Sequence, residues 1–141
     1  MFLLTPLIIL SAENFYVNLD EFSSEGNRKV KLEYTITNGD NIAVSYFDIE
    51  AHQSLDLEKV ELEEGLADSG KTFRNVRILA GNRLWPGGTA KMKLIVRVKD
   101  MSRGNIFQQR KPDPAFTVTV YYMNGEKRTW SVYPPFVADL R

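Results

Sequence analysis

The sequence contains no cysteine. That excludes a thiolate nucleophile, a cysteine-ligated zinc, an iron–sulfur cluster and any disulfide. It has a single histidine, His52, so any imidazole chemistry must run through that residue. No stretch reaches the roughly 18 consecutive apolar residues that a membrane-spanning helix needs. There is no P-loop, no G-x-G-x-x-G behind a strand, no G-x-S-x-G and no calcium-loop spacing. Internal repeats, low-complexity tracts and Gly/Ser/Pro linkers are also missing, which predicts one domain over residues 1–141. The compartment stays open, because an exported protein of this size does not require disulfides.

What is present favours strands. At 43% hydrophobic and 26% charged the chain has the composition of a globular domain and is too apolar for disorder. Long Ala-, Leu-, Glu- and Lys-rich helical stretches are absent, whereas Val, Thr, Tyr and Phe are frequent. Val30, Leu32, Tyr34 and Ile36 alternate with polar residues, a period of two that marks a half-buried strand. Asn38 to Asn41 is a turn signal. Phe47, Ile49 and Ala51 share a face, opposite Asp48, Glu50 and His52. Ala90, Met92, Leu94, Val96 and Val98 point one way, with Lys91, Lys93, Arg97 and Lys99 on the other side. Phe116, Val118, Val120 and Tyr122 form one face of a final hairpin, whose Asn124-Gly125 predicts a two-residue turn with positive φ at both positions. Shorter signals give a strand over residues 14–19, a loop over 23–27, an acidic strand within 55–66 and an apolar stretch at Phe73, Val76, Ile78 and Leu79. A long loop is expected over 102–114.

These elements predict an all-β fold: a two-sheet antiparallel sandwich of about seven to nine strands, with a β-barrel as the alternative. The stretches KLEYTITNGD (residues 31–40) and LWPGGTAKMKL (residues 84–94) resemble a strand and a turn of bacterial immunoglobulin-like β-sandwich modules. The resemblance implies the fold and no functional residue.

Residues 2–10, FLLTPLIIL, are the most apolar run. They read as a first strand or as an arm that exchanges between subunits, with Leu3, Leu4, Leu7, Ile8 and Ile9 as self-association candidates. A signal-peptide core is the competing reading. Against it stand the missing Lys or Arg, the interrupting Pro6, and Leu10 three positions before the nearest cleavage point.

Charge is unevenly spread along a chain of zero net charge. Residues 1–70 hold 4 Lys and Arg against 14 Asp and Glu, and residues 71–141 hold 14 against 4. Either acidic strands lie beside basic ones, or the molecule has two charged faces. A bare basic face would suit a polyanion. Its candidates are Lys91, Lys93, Arg97, Lys99, Arg103, Arg110 and Lys111, with Tyr121 and Trp130 as stacking aromatics for a base or sugar. Phe107 lies among the loop cations, and Trp85 is a further sugar-stacking candidate or a plug at one end of the sandwich. Asp48, Glu50 and His52 could face one metal only with help from a neighbour, since ligands on one flat strand diverge. No serine is paired with His52 by pattern.

The expectation is therefore a non-catalytic interaction module, with no cofactor and no metal, that binds a protein partner or itself through a sheet face or edge. A carbohydrate- or polyanion-binding module is the alternative.

Overall fold

A computed structural model describes residues 14–99 and 106–137. The candidate arm (Leu3, Leu4, Leu7, Ile8 and Ile9) and Arg103 lie outside the described residues. Nine strands follow in chain order: β1 (Phe15–Gly26), β2 (Lys29–Asn38), β3 (Val44–Ala51), β4 (Leu55–Leu62), β5 (Ala67–Lys71), β6 (Asn75–Leu79), β7 (Thr89–Val98), β8 (Phe116–Tyr122) and β9 (Lys127–Val132). They form two sheets, one ordered β1-β2-β7-β4 and the other β5-β6-β3-β8-β9, with every pairing antiparallel. The sheets are separate, so the fold is a sandwich and not a barrel.

The alternating strands behave as their pattern requires. Val30, Leu32, Tyr34 and Ile36 of β2 join Phe47 and Ile49 of β3 and Phe116, Val118 and Val120 of β8 in one buried apolar core. Ala90 to Val98 on β7 supply the next inward row. Each fully buried aliphatic or aromatic side chain contributes about 1.5–3 kcal/mol relative to exposure. Tyr34 packs edge-on against Phe116 with ring centroids 6.3 Å apart. Among the described residues its hydroxyl has no hydrogen-bond partner, and burial pushes its pKa up.

One end of the sandwich is tied by two buried polar residues. The Asn38 side-chain amide donates to the carbonyls of Ile42 and Leu84, both at 2.8 Å. Asp40 accepts from the Asn14 amide at 3.1 Å and from the Tyr122 hydroxyl at 2.9 Å. Burial first, and then the bond to Asp40, push the Tyr122 pKa up. This end therefore joins both sheets through satisfied buried groups.

Several local expectations are corrected. The stretch 23–27 is not a loop: β1 continues to Gly26, and the chain reverses at Asn27 and Arg28, with φ of 53° and 63°. Its polar residues face water because β1 is an edge strand. Phe73 and Leu79 are exposed, and only Val76 and Ile78 of that stretch enter the core. β5 carries no apolar alternation, since most of its residues are exposed. In the last hairpin only Gly125 has positive φ. The Gly125 amide donates to the Tyr122 carbonyl, and the Tyr122 amide to that of Glu126, which describes a three-residue loop with Gly in the left-handed position. Ile106 and Phe107 sit in a one-turn 3-10 helix and are buried. Phe107 thus serves the core and not the loop surface.

Candidate functional site

The predicted basic row is real, but it is not bare. Lys91, Lys93 and Arg97 lie along β7 between β2 and acidic β4, and Lys99 follows just past its end. Glu58 on β4 receives both Arg97 and Lys29 at 3.2 Å. Lys93 lies 3.8 Å from Glu61, and Lys99 lies 3.6 Å from Asp56. Arg83 meets Glu63 at 2.9 Å, and Glu63 also accepts from the Lys91 amide. The acidic and basic halves of the sequence are therefore stitched together across strands. Burial pushes the Glu58 pKa up, but hydrogen bonds from Arg97 and Lys29 outweigh it and the net shift is downward. Glu61 is lowered by its hydrogen bond from Lys59 first. Arg110 and Lys111 are exposed in the loop after the 3-10 turn.

The hairpin aromatics are engaged as well. Tyr121 stacks on Tyr46 at 4.5 Å between centroids. The Arg77 guanidinium sits 4.4 Å from the Tyr46 ring, and the Lys127 ammonium 5.9 Å from Tyr121. Arg77 also lies 5.7 Å from the Tyr121 ring, so both aromatics have cations beside them. Trp130 is half-buried, 5.3 Å from Phe15. Trp85 does not plug the sandwich end. It is 55% exposed, and Leu84 beside it is buried instead.

Asp48, Glu50 and His52 do not converge. Asp48 is held by Arg77 in a two-pronged pair at 2.8 and 3.0 Å, which drives the Arg77 pKa up. Among the described residues no group of three potential ligands could hold a metal ion. His52 does have a serine neighbour that pattern did not reveal. Its Nδ1 lies 2.8 Å from Ser54 Oγ, and its Nε2 lies 3.2 Å from Asp113. The Ser54 amide also donates to that Nδ1, so the contact closes a tight turn. The hollow beside His52 is lined by Glu50, Gln53, Arg74, Asp113 and Thr117, and Ser54 does not line it. The ring acts as a staple between the 52–54 turn and the 113 loop.

Among the described residues the sandwich is left open along one side. β1 and β9 are the outermost strands of the two sheets and lie on the same side. Phe15, Val17, Leu19, Trp130, Val132 and Tyr133 line a cleft of about 180 Å³ between them. The inward row of β1 opens progressively along the strand. Phe15 is buried and Val17 half-buried, but Leu19 is 36% and Phe22 40% exposed. The reason is length. β1 has twelve residues and β9 only six, and Pro134-Pro135 follow soon after β9 ends. Proline supplies no ladder donor, so the strand cannot extend to cover Leu19 and Phe22. Tyr133, at the end of β9, is 61% exposed.

Sequence reasoning missed this seam. A register shift between Leu19 and Glu21 breaks the alternation, so Leu19 and Phe22 stand three apart and yet share a face. A three-residue step between apolar positions of one strand is the signature that a bulge leaves.

The sequence matches no protein-family model and no curated protein. Solved structures resemble it in fold. A protein from Nocardia farcinica described as having an immunoglobulin-like fold aligns over 90% of both chains, at 12% identity and a TM-score of 0.51. ChBD3 from Thermococcus kodakarensis KOD1 aligns over 87% of this chain and 99% of its own, at 10% identity and 0.47. The chitin-binding domain of a Pyrococcus furiosus chitinase aligns over 89% and 98%, at 11% and 0.43. The first likeness bears on fold alone, and the other two are too distant to bear on function. The chain has an immunoglobulin-like β-sandwich fold.

Proposed function

We propose that the chain is a non-catalytic binding module that recruits a protein partner along the seam between β1 and β9. The observation that carries this reading is the exposure of Leu19 and Phe22, two inward-facing apolar side chains with no strand opposite them among the described residues. Beside them the outer edge of β1 is unpaired among the described residues, and an extended segment can add to such an edge while its side chains fill the cleft. Panning random extended peptides against the chain tests this. Selected peptides are expected to protect β1 and β9 amides from hydrogen exchange. They should lose binding to a Leu19→Asp, Phe22→Asp variant that remains folded. Peptides that bind this variant as well as the parent overturn the reading. Removing residues 1–12 asks whether the chain's own apolar run occupies the seam: a gain in peptide binding, or the loss of a dimer in sedimentation, would assign the seam to that run.

Saccharide binding is a second reading, favoured by Trp85. Its turn is fixed by bonds from the Gly88 amide to the Trp85 carbonyl and from the Gly87 amide to Asn38. A Cβ at Gly88 would come within 2.2 Å of the Arg83 carbonyl oxygen. An exposed indole on this fixed turn offers a flat face to a sugar ring. Titration with soluble oligosaccharides is expected to shift the tryptophan fluorescence, and Trp85→Ala to remove the shift. No shift with any oligosaccharide would dispose of this reading.

A further inference from the structure

The bulge in β1 does two things at once. Glu21 pairs in register with outward-facing Glu33, and Asp20 accepts the hydroxyl hydrogen bond of Thr35. Two consecutive carboxylates therefore face outward. The same shift returns Phe22 to the inward row, opposite buried Leu32. Like charges directly opposite each other on neighbouring strands are unfavourable. Asp20, Glu21, Glu33, Glu61 and Glu63 line a depression of about 590 Å³ on the outer face, with Lys91 and Lys93 as its cations. Among the described residues, Glu61 and Glu63 have ion-pair partners, while Asp20, Glu21 and Glu33 have none within 4 Å. β1 itself carries Asp20, Glu21 and Glu25 and no Lys or Arg.

We propose that the seam receives an extended polypeptide segment in which apolar residues alternate with lysine or arginine. This rests on the seam reading above. A strand laid on the free edge of β1 sends successive side chains to opposite faces of the sheet. One set enters the cleft with Val17, Leu19, Phe22 and Tyr133. The other set lies over Asp20 and Glu21, where cations relieve the Glu21–Glu33 opposition. Two occupants from this protein, its apolar run and a second copy's β1, lack the complementary charge. Residues 2–10 hold no Lys or Arg, and Pro6 interrupts them. A second copy's β1 brings the same carboxylates, so pairing β1 with β1 sets acid near acid.

The probes are two labelled peptides of about ten residues, one alternating Val with Lys and the other Val with Glu. Both are titrated against the full chain by fluorescence anisotropy. The Lys peptide is expected to bind at least roughly tenfold more tightly, with the preference shrinking at high salt. Glu21→Gln should weaken the Lys peptide, and Glu21→Lys should weaken it further. A Leu19→Ser, Phe22→Ser variant should lose both peptides. Circular dichroism on each variant keeps loss of fold separate from loss of binding. Equal affinity for the two peptides, or indifference to Glu21→Lys, overturns the charge inference. If both peptides bind equally and both are lost in the Leu19→Ser, Phe22→Ser variant, the seam stands and only the alternation fails. If neither binds and panning also yields nothing, both readings fall. A dimer that displaces the Lys peptide overturns the inference in favour of a second copy.

Discussion

The two edges of the four-stranded sheet are built differently. At the β4 edge, the Leu57 amide donates to the Phe73 carbonyl at 2.8 Å, and the Lys71 ammonium donates to the Leu57 carbonyl at 2.9 Å. The connection after β5 thus covers the backbone of β4. Its outward acids Asp56, Glu58 and Glu61 each have a cation. Leu55 and Leu57 beneath are fully buried. At the β1 edge no described segment covers the strand, the acids Asp20 and Glu21 have no ion pair among the described residues, and the inward row surfaces at Leu19 and Phe22. One edge is finished by the chain itself. The other has the features of a surface awaiting a second chain: open backbone, uncovered apolar side chains and charge of one sign.

The contrast can be broken most strongly in the apolar rows. Leu57→Ala is expected to cost about 2–5 kcal/mol in urea unfolding, because it leaves a cavity under a covered edge. A loss below 1 kcal/mol would mean that the β4 edge is also loose. Next in size is Glu58→Lys, which places a third cation between Lys29 and Arg97. We expect a loss of about 1–2 kcal/mol, smaller at high salt. Salt-independent destabilisation would point to packing instead of charge.

Acid sharpens the same comparison. The folded pKa values of Glu58 and Glu61 lie below the ordinary carboxylate value of 4.5. As pH falls, the unfolded chain takes up these protons first. Their contribution is therefore complete above about pH 5 and is lost as pH drops through the lower folded values. Glu58→Gln with Glu61→Gln is expected to flatten the fall of the urea midpoint between neutral pH and about pH 3. An unchanged slope would show that other acids carry it. The smallest effect belongs to the open edge. Leu19→Ser with Phe22→Ser should cost no more than about 1 kcal/mol per site, well under Leu57→Ala, since each side chain keeps more than a third of its area exposed. A large loss would mean that both are already buried in solution, by the chain's own residues or by a second copy.

Much of the sandwich was legible because alternation is a local signal. β2, β7 and the β8 face read directly from residues 30–36, 90–98 and 116–122, since burial on one side imposes period two. The second half of β1 and all of β5 were not legible. Edge strands face water on most sides and carry no such pattern. Ser23, Ser24 and Gly26 look like a loop in one dimension and form a ladder with β2 in three.

The sequence by itself determined the all-β class, the inward rows and the unequal charge of the two halves, because each depends on neighbours along the chain. It also limited imidazole chemistry to His52. Tertiary structure alone decided what the charges do. Setting β4 against β7 paired Lys93, Arg97 and Lys99 with acids, while placing β1 outermost left Asp20 and Glu21 beside Glu33. It also decided where the core stays open, since the exposure of Leu19 and Phe22 depends on where β9 ends, more than a hundred residues further along the chain.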